Sequence, residues 1–364
     1  MACAAGLPTY EIEGQSWRGG GKRLERSERA AAKASAALAR LRRGSADQSL
    51  TQALAALRVS PGARAAAAAF VEGFDLAPPD ETSAHWVADA HAESVAGGPF
   101  SALRFACGYD GVVGWLRAGL GDRPGVVRTG VVAREVEWRP GSVRVRCTSA
   151  AGTALEPFEC KALVVTLPVG VLQSPPDAPA AVRFDPPLPA RPSRALASLG
   201  MGAVLRLTLV FREAFWPPRM SFLRAPNEAV PTWWTGHPFL EARLVGWAGG
   251  RLAHALLSLG KERIVDHAVG CLARALRLPR ARIDRELSSF WMHDWSADPF
   301  ARGAYAFVRV GGAGAARVLA SPVDKTLVFA GEAVCDAPRA GTVHGAIASG
   351  RRAARAVLKA HRRR

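Results

Sequence analysis

What the chain lacks narrows its function first. It has no run of about eighteen apolar residues, because arginine interrupts the longest Ala-rich stretches, so no membrane-spanning helix is expected. The opening Met-Ala-Cys-Ala-Ala-Gly-Leu-Pro-Thr-Tyr has neither a basic segment nor an apolar stretch of leader length, which leaves the cytoplasm as the expected compartment. The six cysteines (Cys3, Cys107, Cys147, Cys160, Cys271, Cys335) form no C-x-x-C pair and no zinc spacing, and read as reduced structural thiols. There is no G-x-S-x-G elbow, no phosphate-binding G-x-x-x-x-G-K-[ST] loop and no H-E-x-x-H helix. His344 has no second histidine four residues on, so no metal is expected.

What is present points to an ordinary globular protein. At 364 residues, with 49% hydrophobic and 22% charged residues, the chain has room for two domains and a sizeable core. Its formal net charge of +17 is of the kind that can mark a nucleic-acid partner. The arginines are spread along the whole chain, however. Only the tail, Lys359-Ala-His-Arg-Arg-Arg, is clustered, and basic groups there also complement a helix C-terminus. No specific nucleic-acid partner is expected, and oligomeric state is not legible.

The most informative stretch lies near the end. Residues 327–330 (Leu-Val-Phe-Ala) form a short apolar run, as expected of a central parallel strand buried on both faces. It stops at Gly331-Glu332, which puts a carboxylate beyond the strand's C-terminal end, where open α/β sheets bind ligands. A helix is expected from about Thr342, with Val343, Ile347, Gly350, Ala354 and Val357 on one face. Gly345, Ala346, Ser349 and Gly350 are small enough to let it lie close to a sheet or a ligand. A helix N-terminus offers free N–H groups and partial positive charge, which suit a group that becomes anionic during reaction. The carboxylate can accept hydrogen bonds from sugar or ribityl hydroxyls. An ordinary strand–loop–helix packing unit with a solvated Glu332 accounts for the same residues equally well.

Elsewhere the pattern alternates between helical and extended. Residues 1–20 read as short, Gly-rich and broken. Residues 22–57 read as a helical hairpin interrupted at Arg43-Gly44-Ser45, with Ser45 and Gln48 a candidate capping box and Ser49 a further candidate cap. Helices are expected over 64–74, from Glu81 and after Gly108-Tyr109. Strands are expected over 126–138, 142–147 and 158–167, and, after a Pro-rich connection at 174–192, over 201–211, 232–235 and 244–248. An amphipathic helix follows over 262–276. Gly312-Ala313-Gly314 lacks a third glycine and a long following helix, and reads as a surface turn.

Two segments carry a family resemblance. Val328-Phe-Ala-Gly-Glu, followed by Gly341-Thr-Val-His-Gly-Ala and Ser349-Gly-Arg-Arg-Ala-Ala, resembles the C-terminal FAD-binding signature of the flavin-containing amine oxidases. That family includes monoamine oxidases, polyamine oxidases and lysine-specific histone demethylases. His293-Asp-Trp-Ser-Ala-Asp-Pro-Phe-Ala-Arg-Gly-Ala-Tyr-Ala-Phe resembles its aromatic active-site segment. The resemblance implies an α/β (α+β) fold, with a partial FAD-binding Rossmann-like domain and a substrate domain of antiparallel sheet and helices. The substrate domain would comprise 1–107 and 176–321, and the FAD-binding domain 108–175 and 322–364.

The same resemblance implies FAD as the cofactor and a small-molecule amine, with dioxygen, as the reactants. Gly331 and Glu332 would hold the ribityl chain, Gly341, Thr342 and Val343 the pyrimidine edge of the flavin, and the backbone of Val132 the adenine. Trp295 and Phe300 fall at cofactor-binding positions and, with Tyr305, would wall the amine site; plain core packing is the alternative for any one of them. An apolar aromatic pocket favours the neutral amine, because burying an unpaired ammonium is costly. Tyr305 and Arg206 are the candidate catalytic residues, and Trp295, Tyr305 and Arg206 are expected to line the Glu332 cavity. Arg206 stands where the family usually has a lysine that holds a water near the flavin. Arginine keeps the charge in a bulkier planar fork, and a structural ion pair is the alternative.

The family also begins with a βαβ unit whose G-x-G-x-x-G turn binds the FAD pyrophosphate. These residues supply none, so the expectation is an N-terminally incomplete amine oxidase that retains little flavin by itself. A non-catalytic relative acting as an interaction protein is the main rival. A chromatin-associated demethylase would require a localised arginine face.

Overall fold

The computed structural model describes residues 2–26, 29–44, 46–96, 103–121 and 125–361. Its largest sheet has seven strands, in the order Leu287–Met292, Val204–Phe211, Arg243–Gly249, Thr232–Thr235, Met220–Arg224, Gln15–Arg18 and Glu25–Arg26. Alternation along Val204–Phe211 sends Leu205, Leu207, Leu209 and Phe211 to one face. There they are buried with Leu223, Trp233, Leu244, Ile264 and Leu272, the last two from the Lys261–Leu276 helix. Arg206, Thr208 and Val210 take the opposite face.

The sheet corrects the purely antiparallel expectation, since Gln15–Arg18 pairs in parallel with Met220–Arg224. Residues 15–18 look broken in sequence because Gln-Ser-Trp-Arg has a single apolar residue. Their extended form is held by hydrogen bonds from a strand some two hundred residues away. The strands at 220–224 and 287–292 were also not foreseen.

A helical layer is formed by Arg29–Leu38, Leu50–Ala56, Pro61–Phe74 and Ala84–Ala96. Ser49 caps the second of these. Its hydroxyl accepts from the Gln52 N–H while the Gln52 side chain accepts from the Ser49 N–H, a complete capping box. Ser45, the other candidate cap, lies outside the described residues.

Leu327–Phe329 pairs in parallel with Leu163–Val165, and all three of its residues are buried together with Ala330. The strand is parallel as expected, but it is not central. Among the described residues it has one partner strand, and Val323 folds back to exchange hydrogen bonds with Leu327 on the other side. A separate four-stranded sheet, ordered Ala154–Cys160, Ser142–Ser149, Val131–Arg139 and Arg183–Asp185, lies alongside.

The last helix, Val343–His361, buries Gly345, Ser349 and Ala353 rather than the stripe through Val343, Gly350 and Ala354. Contact distance explains the rotation. A side chain on Gly345 would collide with the Arg339 carbonyl and stand 2.8 Å from the Cys335 sulfur. The Ser349 hydroxyl both accepts from the Gly331 N–H (2.8 Å) and donates to the Gly331 carbonyl (2.9 Å). The smallest residues therefore face the strand end, and the larger Val343 is left exposed. Gly312 packs on Ser198 in a turn ahead of the six-residue helix Ala315–Ala320.

Candidate active site

The chain leaves the buried strand through Gly331, whose φ of +130° disfavours any residue with a Cβ. That turn brings the Glu332 carboxylate inward. It accepts from the Ala306 N–H (3.2 and 3.3 Å to its two oxygens) and from the Gly341 N–H (3.2 Å). Backbone from residues 306 and 341 thus meets at one acid. Burial pushes its pKa up to about 7, against the pull of those two N–H groups. Glu332 lines a cavity of about 210 Å3 with Thr166, Pro168, Trp295, Phe329 and Gly331.

Tyr305, expected to line this cavity, is not part of its wall, although the preceding Ala304 is. A Cβ on Gly341 would lie 3.2 Å from its ring, and its hydroxyl donates to the Phe74 carbonyl at the end of the Pro61–Phe74 helix. Burial, reinforced by Asp75 and Glu332, raises the phenol's pKa, so it stays protonated. Trp295 meets His293 edge-on at 4.4 Å, and His293 is held by Asp298 at 2.8 Å.

Not every candidate residue joins them. Thr342 caps the last helix, its hydroxyl accepting from the Gly345 N–H (3.1 Å) and donating to the Arg339 carbonyl (2.6 Å). Neither Thr342 nor Val343 forms part of the cavity wall, although the Gly341 N–H preceding them reaches Glu332. Phe300 is exposed and off the wall. Val132 is buried in the four-stranded sheet opposite Thr148.

Arg206 also lies off the cavity wall, on the open face of the seven-stranded sheet. Desolvation first, then the charges of Arg243 and Arg104, lower its pKa. Among the described residues it has no hydrogen-bond or ion-pair partner, so the ion pair weighed from sequence is not formed. Its cross-strand neighbour is Trp247, whose indole N–H donates to the Gly73 carbonyl (2.7 Å). Adjacent carbonyls at one helix end, those of Gly73 and Phe74, therefore tie Trp247 and Tyr305 to the same spot.

Sequence reading missed this surround. Trp247 and Trp234 (rings 5.9 Å apart) and Phe222 share the Arg206 face, while Asp75 pairs with His91 at 2.9 Å near Tyr305. Strand alternation in Thr232-Trp-Trp-Thr was the available signal, because it must send its two tryptophans to opposite faces.

A half-buried acid just past the end of a parallel strand, lining a cavity with Trp295 and Phe329, is an α/β arrangement able to take a ligand. Residues 15–358 match the family model for flavin containing amine oxidoreductase, and the chain belongs to that family. It is 30% identical over 301 residues to Polyamine oxidase 1 of Oryza sativa subsp. japonica, covering 70% of this chain and 56% of that one. It is 31% identical over 205 residues to Lysine-specific histone demethylase 1 homolog 3 of Arabidopsis thaliana, covering 53% of this chain and 12% of that one. The chain thus spans only part of the length of these relatives.

Among solved structures, a triple mutant of putrescine oxidase superposes with a TM-score of 0.79 at 21% identity, covering 98% of this chain and 84% of that one. Cyclohexylamine oxidase from Brevibacterium oxydans IH-35A gives 0.77 at 18% identity, covering 100% and 84%. These two likenesses establish the fold. Family membership makes FAD the cofactor. Glu332 fits part of it: a half-buried carboxylate with two backbone donors among the described residues keeps acceptor capacity for ligand hydroxyls at the cavity edge. Among the described residues no helix is long and apolar enough to cross a membrane.

Proposed function

We propose that the chain catalyses FAD-dependent oxidation of an amine, with dioxygen as the final electron acceptor. Amine and dioxygen give imine and hydrogen peroxide, and water then hydrolyses the imine to a carbonyl compound. When bound, FAD supplies the two-electron acceptor for the C–H bond next to the amine nitrogen. The protein's own part is positional. Glu332 takes up cofactor hydroxyls, Gly341 holds Glu332 in place, and Trp295 and Tyr305 keep water from the reacting carbon. Tyr305 acts as a neutral wall rather than a base, because its proton is committed to the Phe74 carbonyl.

On this reading 108–175 and 322–364 form the flavin side, 1–107 and 176–321 the substrate side, and the compartment is the cytoplasm. The family match over 15–358 carries the proposal, and the convergence of Glu332, Gly341 and Tyr305 supports it. The test is to titrate the protein with FAD and mix it anaerobically with a panel of amines. Loss of the oxidised flavin absorbance, and peroxide on admitting air, are the expected results. Bound flavin that no amine reduces would overturn the enzyme reading in favour of an interaction role.

A further inference from the structure

Trp295 reaches the Glu332 cavity from a loop, residues 294–303, whose backbone is closed from within. The Asp294 carboxylate accepts from the Ser296 and Ala297 N–H groups (2.9 and 3.0 Å), and the Asp298 carboxylate accepts from the Phe300 N–H (2.8 Å). The Gly303 N–H donates to the Trp295 carbonyl (2.8 Å), and the Arg302 N–H to the Asp298 carbonyl (2.9 Å). Trp295, Ala301 and Gly303 of this loop line the cavity. Behind it, a Cβ on Gly170 would stand 2.5 Å from the Arg302 carbonyl oxygen and 3.0 Å from that of Ala301. Backbone contacts therefore set the path of the loop.

They do not set the direction of the indole. Trp295 is 44% exposed, and its ring can turn about two side-chain bonds. Among the described residues one ring meets it, that of His293, edge-on with the centroids 4.4 Å apart. Edge-to-face pairs favour one relative orientation of the two rings. His293 is in turn fixed, because its Nε2 lies 2.8 Å from Oδ2 of Asp298 while Oδ1 of the same carboxylate holds the Phe300 N–H. Those bonds, the Phe300 N–H foremost and His293 next, keep the Asp298 carboxyl below its ordinary pKa, so it stays ionised. A chain of contacts thus runs from the loop backbone through Asp298 and His293 to the cavity wall.

We propose that His293, locked by Asp298, is a positioning residue that holds the Trp295 indole against the Glu332 cavity and so sets how closely a ligand fits there. The inference rests on the amine-oxidation reading and names the residue that orients part of its wall. His293 is not on the cavity wall and acts only through Trp295.

The test starts with the FAD-free full chain, where the near-UV circular dichroism of the parent minus that of Trp295→Phe isolates the Trp295 signal. In a His293→Ala background the same difference is expected to fall by about half or more, because the indole is no longer held in one orientation. His293→Phe, which restores an aromatic edge, should recover part of it. The urea midpoint of His293→Ala should stay close to the parent's, since the His293 side chain is exposed. FAD affinity, read by flavin fluorescence, is expected to fall about threefold to tenfold in His293→Ala. A Trp295 signal that His293→Ala leaves unchanged overturns the proposal, as does a lost signal with FAD affinity equal to the parent's. A markedly lowered urea midpoint makes the pair structural and overturns it too. The two readings fail separately. An unchanged Trp295 signal beside amine-driven flavin reduction removes the positioning role and leaves the oxidase. A lost signal and weaker FAD binding, with no flavin reduction by any amine, keep the positioning role and remove the oxidase.

Discussion

The core face of the seven-stranded sheet and the groups around Glu332, like the open-face Arg206, are built on opposite plans. On the core face the side chains pack against one another inside the protein, although the Trp17 indole N–H is buried there without a hydrogen-bond partner among the described residues. Leu205, Leu207 and Leu209 are fully buried under the Lys261–Leu276 helix, and the Trp233 indole donates to the Val230 carbonyl at 3.0 Å. Around the site, groups are held in unfavourable states. Glu332 is half-buried with two long backbone donors and no paired cation among the described residues, which raises its pKa, and the exposed Arg206 has no paired carboxylate among them. The first region is optimised for folding. The second stores a cost that a ligand can remove, which is how a binding site differs from a core.

Substitutions should therefore have opposite signs in the two regions. The largest effect is expected from Leu207→Ala on the core face. Losing a fully buried leucine in a close-packed layer should cost about 2–5 kcal/mol, measured as a lower denaturation midpoint in urea. A loss below about 1 kcal/mol would break the contrast.

Glu332→Gln should do the reverse in the FAD-free protein. The folded-state pKa of Glu332 is raised from 4.5 to about 7, so between those values the folded state keeps a proton that the unfolded chain has released. Stability then falls as pH rises through that window, by at most about 3 kcal/mol at ~1.4 kcal/mol per pH unit. The glutamine variant should match the parent near pH 4 and be more stable at pH 8. Its affinity for FAD should fall by about tenfold to a hundredfold, read by flavin fluorescence, because a charge-assisted hydrogen bond becomes a neutral one. A variant less stable than the parent at pH 8 would show that Glu332 is a structural acid instead.

Gly345→Ala tests the join between the regions. The added methyl meets the Arg339 carbonyl, the Cys335 sulfur and the Thr342 hydroxyl, so the last helix must shift away from the Glu332 turn. A cost of about 1–3 kcal/mol is expected, seen as a lower Tm, together with weaker FAD binding. The smallest effect belongs to Arg206→Gln. With Arg206 exposed and without a partner among the described residues, the unfolding free energy should stay within about 0.5 kcal/mol of the parent. A large destabilisation would mean that Arg206 belongs to the closed region after all.

The sequence by itself determined the family, the buried strand at 327–329, the acid that follows it and the helix from residue 343. Those features depend on local pattern: an apolar run, a glycine needed for a positive φ, and small residues spaced along a helix. Of the aromatic motif, whose residues are close in the chain, Trp295 is on the cavity wall, whereas Tyr305 stands off it against Gly341. Tertiary structure alone decided the rest. The helix turned its glycine–serine face inward because backbone approach outweighed apolar periodicity, and Gln15–Arg18 became a strand because a distant edge supplied its hydrogen bonds. Whether Arg206 was paired could not be read from its neighbours in sequence. Its surroundings are set by cross-strand register with residues 232–247 and by an arginine from residue 104, and register is fixed only when the sheet is assembled.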